Sequence, residues 1–172
     1  MAEKTTIHLN VFRFNSETDY LPHYRQYDLE VSQDDVMLDV LDKIKWHHDS
    51  SFSYRRSCRH GICGSCGIKV NNKSIIACKE RVFDIIAIFG KDLTLRPQNE
   101  GRAIKDMVID KGDFWKKYDT VQPYLIGEIE ECPSHEHTVS PEEYEELRES
   151  DVCIQCSACY YACPAAEVNE KF

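Results

Sequence analysis

Cysteine is the residue type with the most chemistry to offer in this sequence, which has 172 residues and nine cysteines. Eight of the nine lie in two tight groups, and Cys132 stands alone between them. The first six residues carry no apolar signal region, so we expect synthesis in the cytosol. In that reducing compartment, clustered cysteines indicate metal ligands before they indicate disulfides.

The first group has the spacing C-x4-C-x2-C-x11-C, the ligand pattern of plant-type [2Fe–2S] proteins. A two-iron cluster needs two thiolates on each iron. One loop can supply three of them, and a neighbouring hairpin can return the fourth. A structural zinc site is the alternative, but zinc favours two paired motifs over a triplet plus one. The predicted [2Fe–2S] ligands are Cys58, Cys63, Cys66 and Cys78.

Glycine and basic residues surround the first group. Glycine lets backbone N–H groups approach the sulfurs closely, and such hydrogen bonds stabilise an added electron. The basic side chains either create a positive field that favours reduction or guides docking, or they form an ordinary solvated loop. The residues concerned are Gly61, Gly64 and Gly67, and then Arg55, Arg56, Arg59 and His60.

The second group has the spacing C-x2-C-x2-C-x3-C-P, the bacterial ferredoxin run. Three close thiolates can hold three corners of a [4Fe–4S] cubane: Cys153, Cys156 and Cys159. In two-cluster ferredoxins the fourth cysteine, here Cys163, ligates the other cluster. The sequence has no reciprocal run, so we expect this group to be incomplete by itself. Cys132 could fill a corner, but a free linker thiol is the more ordinary interpretation.

Charge divides the chain into two parts. Residues 1–100 hold 14 basic and 14 acidic residues, and residues 101–172 hold 7 basic and 16 acidic, which accounts for the net charge of −9. We therefore predict two domains, residues 1–102 and 103–172. The acidic balance argues against nucleic acid as a partner, because phosphate binding needs a basic surplus.

Apolar periodicity predicts an α+β fold in which a β-grasp domain precedes a partial α-helical ferredoxin-like domain. Alternating residues predict two strands, and an i, i+3, i+4, i+7 set predicts a helix capped by Asp34 or Asp35. A hairpin and a last strand follow. The second part is predicted helical over 103–118 and 142–149, the latter opened by a Ser140–Glu143 capping box. The patterns are Ile7/Leu9/Val11, Tyr27/Leu29/Val31, Met37/Val40/Leu41/Ile44, 68–70 with 74–77, and 93–96.

Both motifs, in this order, resemble the iron–sulfur subunit of succinate dehydrogenase and fumarate reductase. The resemblance rests on residues 56–67 (RSCRHGICGSCG), Ala77-Cys78 and 153–164, and it covers essentially the whole chain. Residues 104–110, before Phe114-Trp115, are also similar to the family's inter-domain helix.

The resemblance implies an electron relay with no substrate chemistry on this chain. A flavoprotein subunit containing FAD exchanges electrons with succinate or fumarate. The electrons pass through [2Fe–2S], [4Fe–4S] and [3Fe–4S] clusters to a quinone at a membrane anchor subunit. Cys163 is then one [3Fe–4S] ligand. The implied location is cytoplasmic, peripheral at the inner face of the cell membrane through partner subunits.

The resemblance also implies ligands that this sequence lacks. Family members continue with a second cysteine group that supplies the other [3Fe–4S] ligands and the last [4Fe–4S] ligand. We expect either a truncated or partial chain, or a separate polypeptide that supplies the rest. Two alternatives remain open: an iron–sulfur subunit of another flavoprotein reductase, and a zinc-stabilised interaction module.

Overall fold

A five-stranded mixed sheet forms the centre of the molecule in this computed structural model, which describes residues 3–124 and 138–169. The strand order is β2-β1-β5-β3-β4, with β1 and β5 parallel and the other neighbours antiparallel. This is the predicted β-grasp arrangement. The strands are β1 (Lys4–Arg13), β2 (His23–Ser32), β3 (Gly67–Val70), β4 (Lys73–Ile76) and β5 (Asp92–Arg96).

Two helices cover one face of this sheet: α1 (Met37–Lys43), which continues into a π-helical turn over Ile44–His48, and α2 (Val82–Phe89). The predicted apolar residues of β1, β2 and α1 are all buried in one core. The predicted helix cap is wrong, because Asp35 instead accepts from Ser32 N–H and pairs with Lys43. Asp39 accepts from the N–H of Val36, the residue before the helix.

The β3–β4 hairpin returns the chain to the first cysteine loop. Asn71 and Asn72 have φ of 44° and 70°, as a two-residue turn between right-twisted strands requires. Asn71 also accepts from Thr94 N–H at 2.7 Å, which ties the turn to β5. The hairpin therefore has a defined register, and Cys78 lies two residues beyond the end of β4.

The helix predicted over 103–118 is wrong in its first half. A small hairpin of β6 (Ala103–Lys105) and β7 (Val108–Ile109) precedes α3 (Gly112–Thr120). Asp106 occupies the turn at φ 49° and is 1% exposed, and its carboxylate accepts from the N–H groups of Phe14 and Ser53. These long-range bonds outweigh the helical spacing. The resemblance to an inter-domain helix over 104–110 fails for the same reason.

The second part is helical where it is described. It contains α4 (Pro141–Asp151), α5 (Ala158–Tyr161) and α6 (Pro164–Val168). The predicted capping box is confirmed: Glu143 N–H donates to Ser140 Oγ at 3.2 Å, and Ser140 N–H donates to Glu143 Oε2 at 2.9 Å. Cys132 lies outside the described residues. Over 3–124 and 138–169, no helix is both long and apolar enough to cross a membrane.

The β6–β7 hairpin is held to the sheet by the buried side chain of Arg13. Arg13 Nε donates to Asp106 at 2.8 Å, and its other nitrogens donate to Asp49, to Ser51 at 2.9 Å and to Tyr27 at 3.3 Å. Met107 is buried in the same core as the sheet. We therefore propose that the domain boundary lies after Ile109 rather than between residues 102 and 103.

Asp49 tests how much this network stabilises the chain. Burial opposes its ionisation, but hydrogen bonds from Ser51 and Arg13 outweigh burial and hold the pKa of Asp49 well below its ordinary value. We expect Asp49→Asn to lower the free energy of unfolding at pH 7 by about 3 kcal/mol, because buried arginine loses a partner. A lowered pKa stabilises the fold above the unfolded pKa, so the difference from wild type should shrink below about pH 4.

Urea unfolding of the full chain at several pH values measures this. Asp28→Asn is the matched control, because Asp28 pairs with His8 at an exposed site. Exposed pairs contribute little to stability, because solvent screens them. Equal losses in the two variants would contradict the prediction.

Candidate metal centre

The structure brings the four cysteines of the first group to one end of the sheet. Cys58 and Cys63 lie on the loop that precedes β3, where Cys58 is half-buried and Cys63 is exposed. Cys66 and Cys78 are buried on either side of the β3–β4 hairpin. Ala77 N–H donates to the Cys66 carbonyl at 3.1 Å, so the end of the hairpin is fastened to the loop.

The four thiols stand as two pairs. The side chains of Cys58 and Cys63 lie close enough to interact, and so do those of Cys66 and Cys78. Within the described residues, no three His, Cys, Asp or Glu side chains converge on a point that could hold one metal ion. Two pairs match a two-iron rhomb with two thiolates on each iron better than they match one tetrahedral zinc.

Backbone N–H groups point at the sulfurs. His60 N–H donates to Cys58 Sγ at 3.3 Å, Gly61 N–H to Cys78 Sγ at 3.1 Å, and Cys78 N–H to Cys66 Sγ at 3.4 Å. Gly61 has φ of 73°, so the predicted use of glycine for close approach to sulfur is confirmed at this position. The loop is therefore prepared for negatively charged sulfur ligands.

Three thiols of the first group, those of Cys58, Cys63 and Cys66, have shifted pKa values. Hydrogen bonds from the backbone of His60, Ile62 and Cys63 lower the pKa of Cys58 to about 6. The Ser65 hydroxyl, 3.3 Å from Cys63 Sγ, helps to lower the pKa of Cys63. Burial raises the pKa of Cys66 to about 11. Cys58 and Cys63 consequently offer thiolates readily, while Cys66 needs a metal to displace its proton.

Arg56 and Arg59 do not lie free on the loop. Asp42 on α1 is 3% exposed, and its carboxylate accepts from Arg56 at 2.9 Å, from Arg59 at 2.6 Å and from the Tyr54 hydroxyl. Arg55 remains exposed. Two of the arginines therefore anchor the cysteine loop to α1, a role that the sequence did not indicate.

The second cysteine group winds through an unusual backbone. Gln155 and Ser157 have φ of 55° and 64°, a left-handed conformation that is uncommon for residues other than glycine. Ser157 is 2% exposed, and its hydroxyl donates to the Cys156 carbonyl. Cys153 and Cys159 are exposed. Such backbone persists only where surrounding contacts determine it, and it is concentrated at functional sites.

Helix α3 supports this second group from one side. Tyr160 and Tyr161 donate their hydroxyls to Asp113 at 3.2 and 2.9 Å, and Gln155 donates to the Tyr118 hydroxyl at 2.5 Å. Cys163 lines a cavity of about 640 Å³ together with both tyrosines. Cys163 therefore borders a space that its three neighbouring cysteines do not line.

The two cysteine groups touch through their backbones at Gly64. Gly64 has φ of 64°, and a Cβ there would lie 2.5 Å from the Ile154 carbonyl oxygen and 2.7 Å from Cys156 N and Cα. Sequence reasoning singled out Gly64 for approach to sulfur, whereas the structure uses it for contact between the groups. Lys111 also meets the second group, donating to the Cys156 carbonyl at 3.2 Å.

Sequence reasoning missed three residues at this junction and around it. Lys111, Asp42 and Gln98 carry no motif of their own. Gln98 is 1% exposed, and its Nε2 has no hydrogen-bond partner among the described residues, although it lies beside Gly67. No local pattern predicted these positions, because each acts on residues far away in the chain.

Residues 8–116 match the family model of the 2Fe-2S iron–sulfur cluster binding domain. The fumarate reductase iron–sulfur subunit of Haemophilus influenzae is 34% identical, over 100% of this chain and 70% of that protein. The succinate dehydrogenase iron–sulfur subunit of Coxiella burnetii is also 34% identical, over 95% of this chain and 68% of that protein.

The fold likewise matches a solved structure. A chain of the Mycobacterium smegmatis Sdh1 complex, determined in its apo form, superposes with a TM-score of 0.81 at 21% identity. The match covers 98% of this chain and 68% of that one. The likeness therefore extends through the β-grasp sheet into the helical part.

Asp42 provides a test of the loop anchor. Asp42→Asn removes the negative charge that Arg56 and Arg59 both face, so we expect the free energy of unfolding to fall by about 3 kcal/mol. Iron should also leave the first group faster. Chelator-driven loss of visible absorption from the full chain measures this release. Asp84→Asn, at an exposed site on α2, is the control, and equal rates in both variants would exclude an anchoring role.

Gly64 provides a test of the contact between the groups. Gly64→Ala places a methyl group against the Ile154–Cys156 backbone, whereas Gly61→Ala has a similar φ of 73° and meets only the Lys79 side chain, at 3.5 Å. Backbone strain costs about 1–2 kcal/mol in either variant. We expect Gly64→Ala to cost about 1–3 kcal/mol more, through overpacking.

Urea unfolding measures this difference, and hydrogen exchange over residues 153–159 should rise in Gly64→Ala alone. Equal losses of unfolding free energy in the two variants, with unchanged hydrogen exchange, would contradict the prediction. They would show that the backbones at Gly64 and at Ile154–Cys156 separate without cost.

Proposed function

Since the chain belongs to the family of iron–sulfur subunits of succinate dehydrogenase and fumarate reductase, we propose that it relays electrons between a flavoprotein subunit and a quinone-linked membrane partner. The observation that carries this proposal is the backbone contact between the two cysteine groups at Gly64. Groups in direct contact suit the passage of electrons from one to the other, while a purely structural metal site needs no such neighbour.

We assign the thiols by pairs. Cys58 and Cys63 would hold one iron of a [2Fe–2S] cluster, and Cys66 and Cys78 would hold the other. Two pairs of thiols and the N–H groups directed at three of the four sulfurs support this assignment. When bound, such a cluster supplies one-electron redox chemistry.

The second group would take a [4Fe–4S] cluster at Cys153, Cys156 and Cys159. The left-handed backbone at Gln155 and Ser157 supports this, because such backbone is concentrated at functional sites. Cys163 borders the separate cavity of about 640 Å³, which favours a ligand role toward a different cluster, the [3Fe–4S] cluster of the family.

The protein itself would contribute positions and charge to the relay. The loop amides of His60 and Gly61 donate to sulfur and so favour added negative charge there. Asp42 holds the loop against α1 through Arg56 and Arg59. Asp113 holds the second group against α3 through Tyr160 and Tyr161. Each group is thus fixed in place by its own buried or half-buried carboxylate.

The first group would face the flavoprotein subunit. Its outer edge is exposed and apolar at Ile62, which is 66% exposed, next to exposed Cys63. An apolar residue beside a redox ligand suits contact with a partner protein. In the proposed complex the chain is peripheral, held at the inner face of the cell membrane by its partners.

Cysteine variants of the full chain test the assignment after anaerobic reconstitution with iron and sulfide. We expect Cys66→Ser to lose the [2Fe–2S] signal and keep the second one, and Cys156→Ser to do the reverse. Cys163→Ser should change either signal little. Mössbauer and EPR spectra, with iron and acid-labile sulfide contents, measure the outcome.

Other outcomes would identify other arrangements. Loss of the second cluster in Cys132→Ser would make Cys132 its fourth ligand, and loss in Cys163→Ser would place all four cysteines of the run on one cluster. A colourless chain that holds zinc and no sulfide would overturn the electron-relay function.

A further inference from the structure

Lys111 lies where the two cysteine groups meet. It immediately precedes α3, it is half-buried, and its ammonium donates to the Cys156 carbonyl at 3.2 Å. Lysine is seldom buried without a specific partner. Neither the fold nor the ligand assignment accounts for its presence at this position.

Several charged or polarisable groups surround the Lys111 ammonium. Burial and the nearby charge of Arg55 lower the pKa of Lys111, while the thiols of Cys156 and Cys63 raise it. Both cysteine groups are therefore within electrostatic reach of this one side chain. Arg55 and Cys63 belong to the first loop and Cys156 to the second group, so Lys111 contacts the second group and feels the charge of the first.

The Cys156 peptide is clamped at this point. The Gly64 backbone packs against its nitrogen and Cα, and its carbonyl accepts from both Lys111 and the Ser157 hydroxyl. The carbonyl also lies 3.7 Å from the Cβ position of Gly67. Lys111 thus fastens, by a long-range bond, the peptide that forms the contact between the groups.

We propose that Lys111 is a positioning residue for electron passage between the two cysteine groups, a role that rests on the proposed function. Its ammonium holds the Cys156 peptide against Gly64 and places a positive charge beside both groups. The step served is a one-electron transfer, in which no bond forms or breaks and no proton moves. A fixed cation at the junction stabilises negative charge on either side.

Three variants of the full chain test the role of Lys111, and two measurements on them separate position from charge. Lys111→Met keeps length and apolar bulk but removes the donor and the charge, and Lys111→Arg retains both. Lys116→Met, at an exposed site on the same helix, is the matched control for removing a lysine from α3.

Hydrogen exchange over residues 153–159 tests positioning, and it is measured before and after anaerobic reconstitution with iron and sulfide. Loss of one hydrogen bond should speed exchange in Lys111→Met by about three- to tenfold before reconstitution. Lys111→Arg and Lys116→Met should match wild type. Equal exchange in all four proteins would overturn the positioning role.

The midpoint potential of the first cluster tests charge. Lys111→Met should shift it to a more negative value, while Lys111→Arg and Lys116→Met should leave it in place. An unshifted potential in Lys111→Met would overturn the charge role. A wild-type chain that assembles no second cluster would instead count against the proposed relay, and the exchange result would still decide whether Lys111 positions Cys156.

Discussion

The close approach of two backbones at Gly64 is the constraint on which the described structure depends. A loop from the β-grasp sheet and a loop from the helical part can meet there only because Gly64 has no side chain and adopts a left-handed φ of 64°. The contacts around Gly64 stabilise this approach of the two loops. Asp42 anchors the loop that contains Gly64, and Asp113 and Lys111 anchor the second cysteine group. The β3–β4 hairpin brings Cys78 back to the first cysteine loop.

Buried carboxylates are the recurring means of support. Asp42, Asp106 and Asp49 are each nearly inaccessible, and each accepts from arginine and from at least one further donor. Arginine suits this use because its planar group serves several acceptors at once. A carboxylate that is multiply bonded in this way is costly to leave unpaired, so it specifies one arrangement of the loops around it.

Local pattern predicted the parts of this fold that local physics determines. Alternation in β1 and β2, the spacing of Met37 and Ile44, and the Ser140 capping box all involve neighbours in sequence, and all were confirmed. Cysteine spacing predicted both groups, and their assignment as cluster ligands stays a prediction. The helix expected over 103–118 was wrong in its first half, because Asp106 finds its partners more than 50 residues away, at Arg13, Phe14 and Ser53. Lys111 and Gln98 were not predicted for the same reason, because each acts on residues far away in the chain.

The order of strands in the sheet has a consequence for synthesis on the ribosome. β5 lies between β1 and β3, so the sheet cannot close until residues 92–96 have emerged from the ribosome. The ion pair between Arg13 and Asp106 can form only later still. Pairings of such long sequence separation form late, after loop closure has become favourable. The thiols of the first group therefore leave the ribosome well before their pocket exists. A cluster can therefore be inserted into this chain only after the whole first domain has folded.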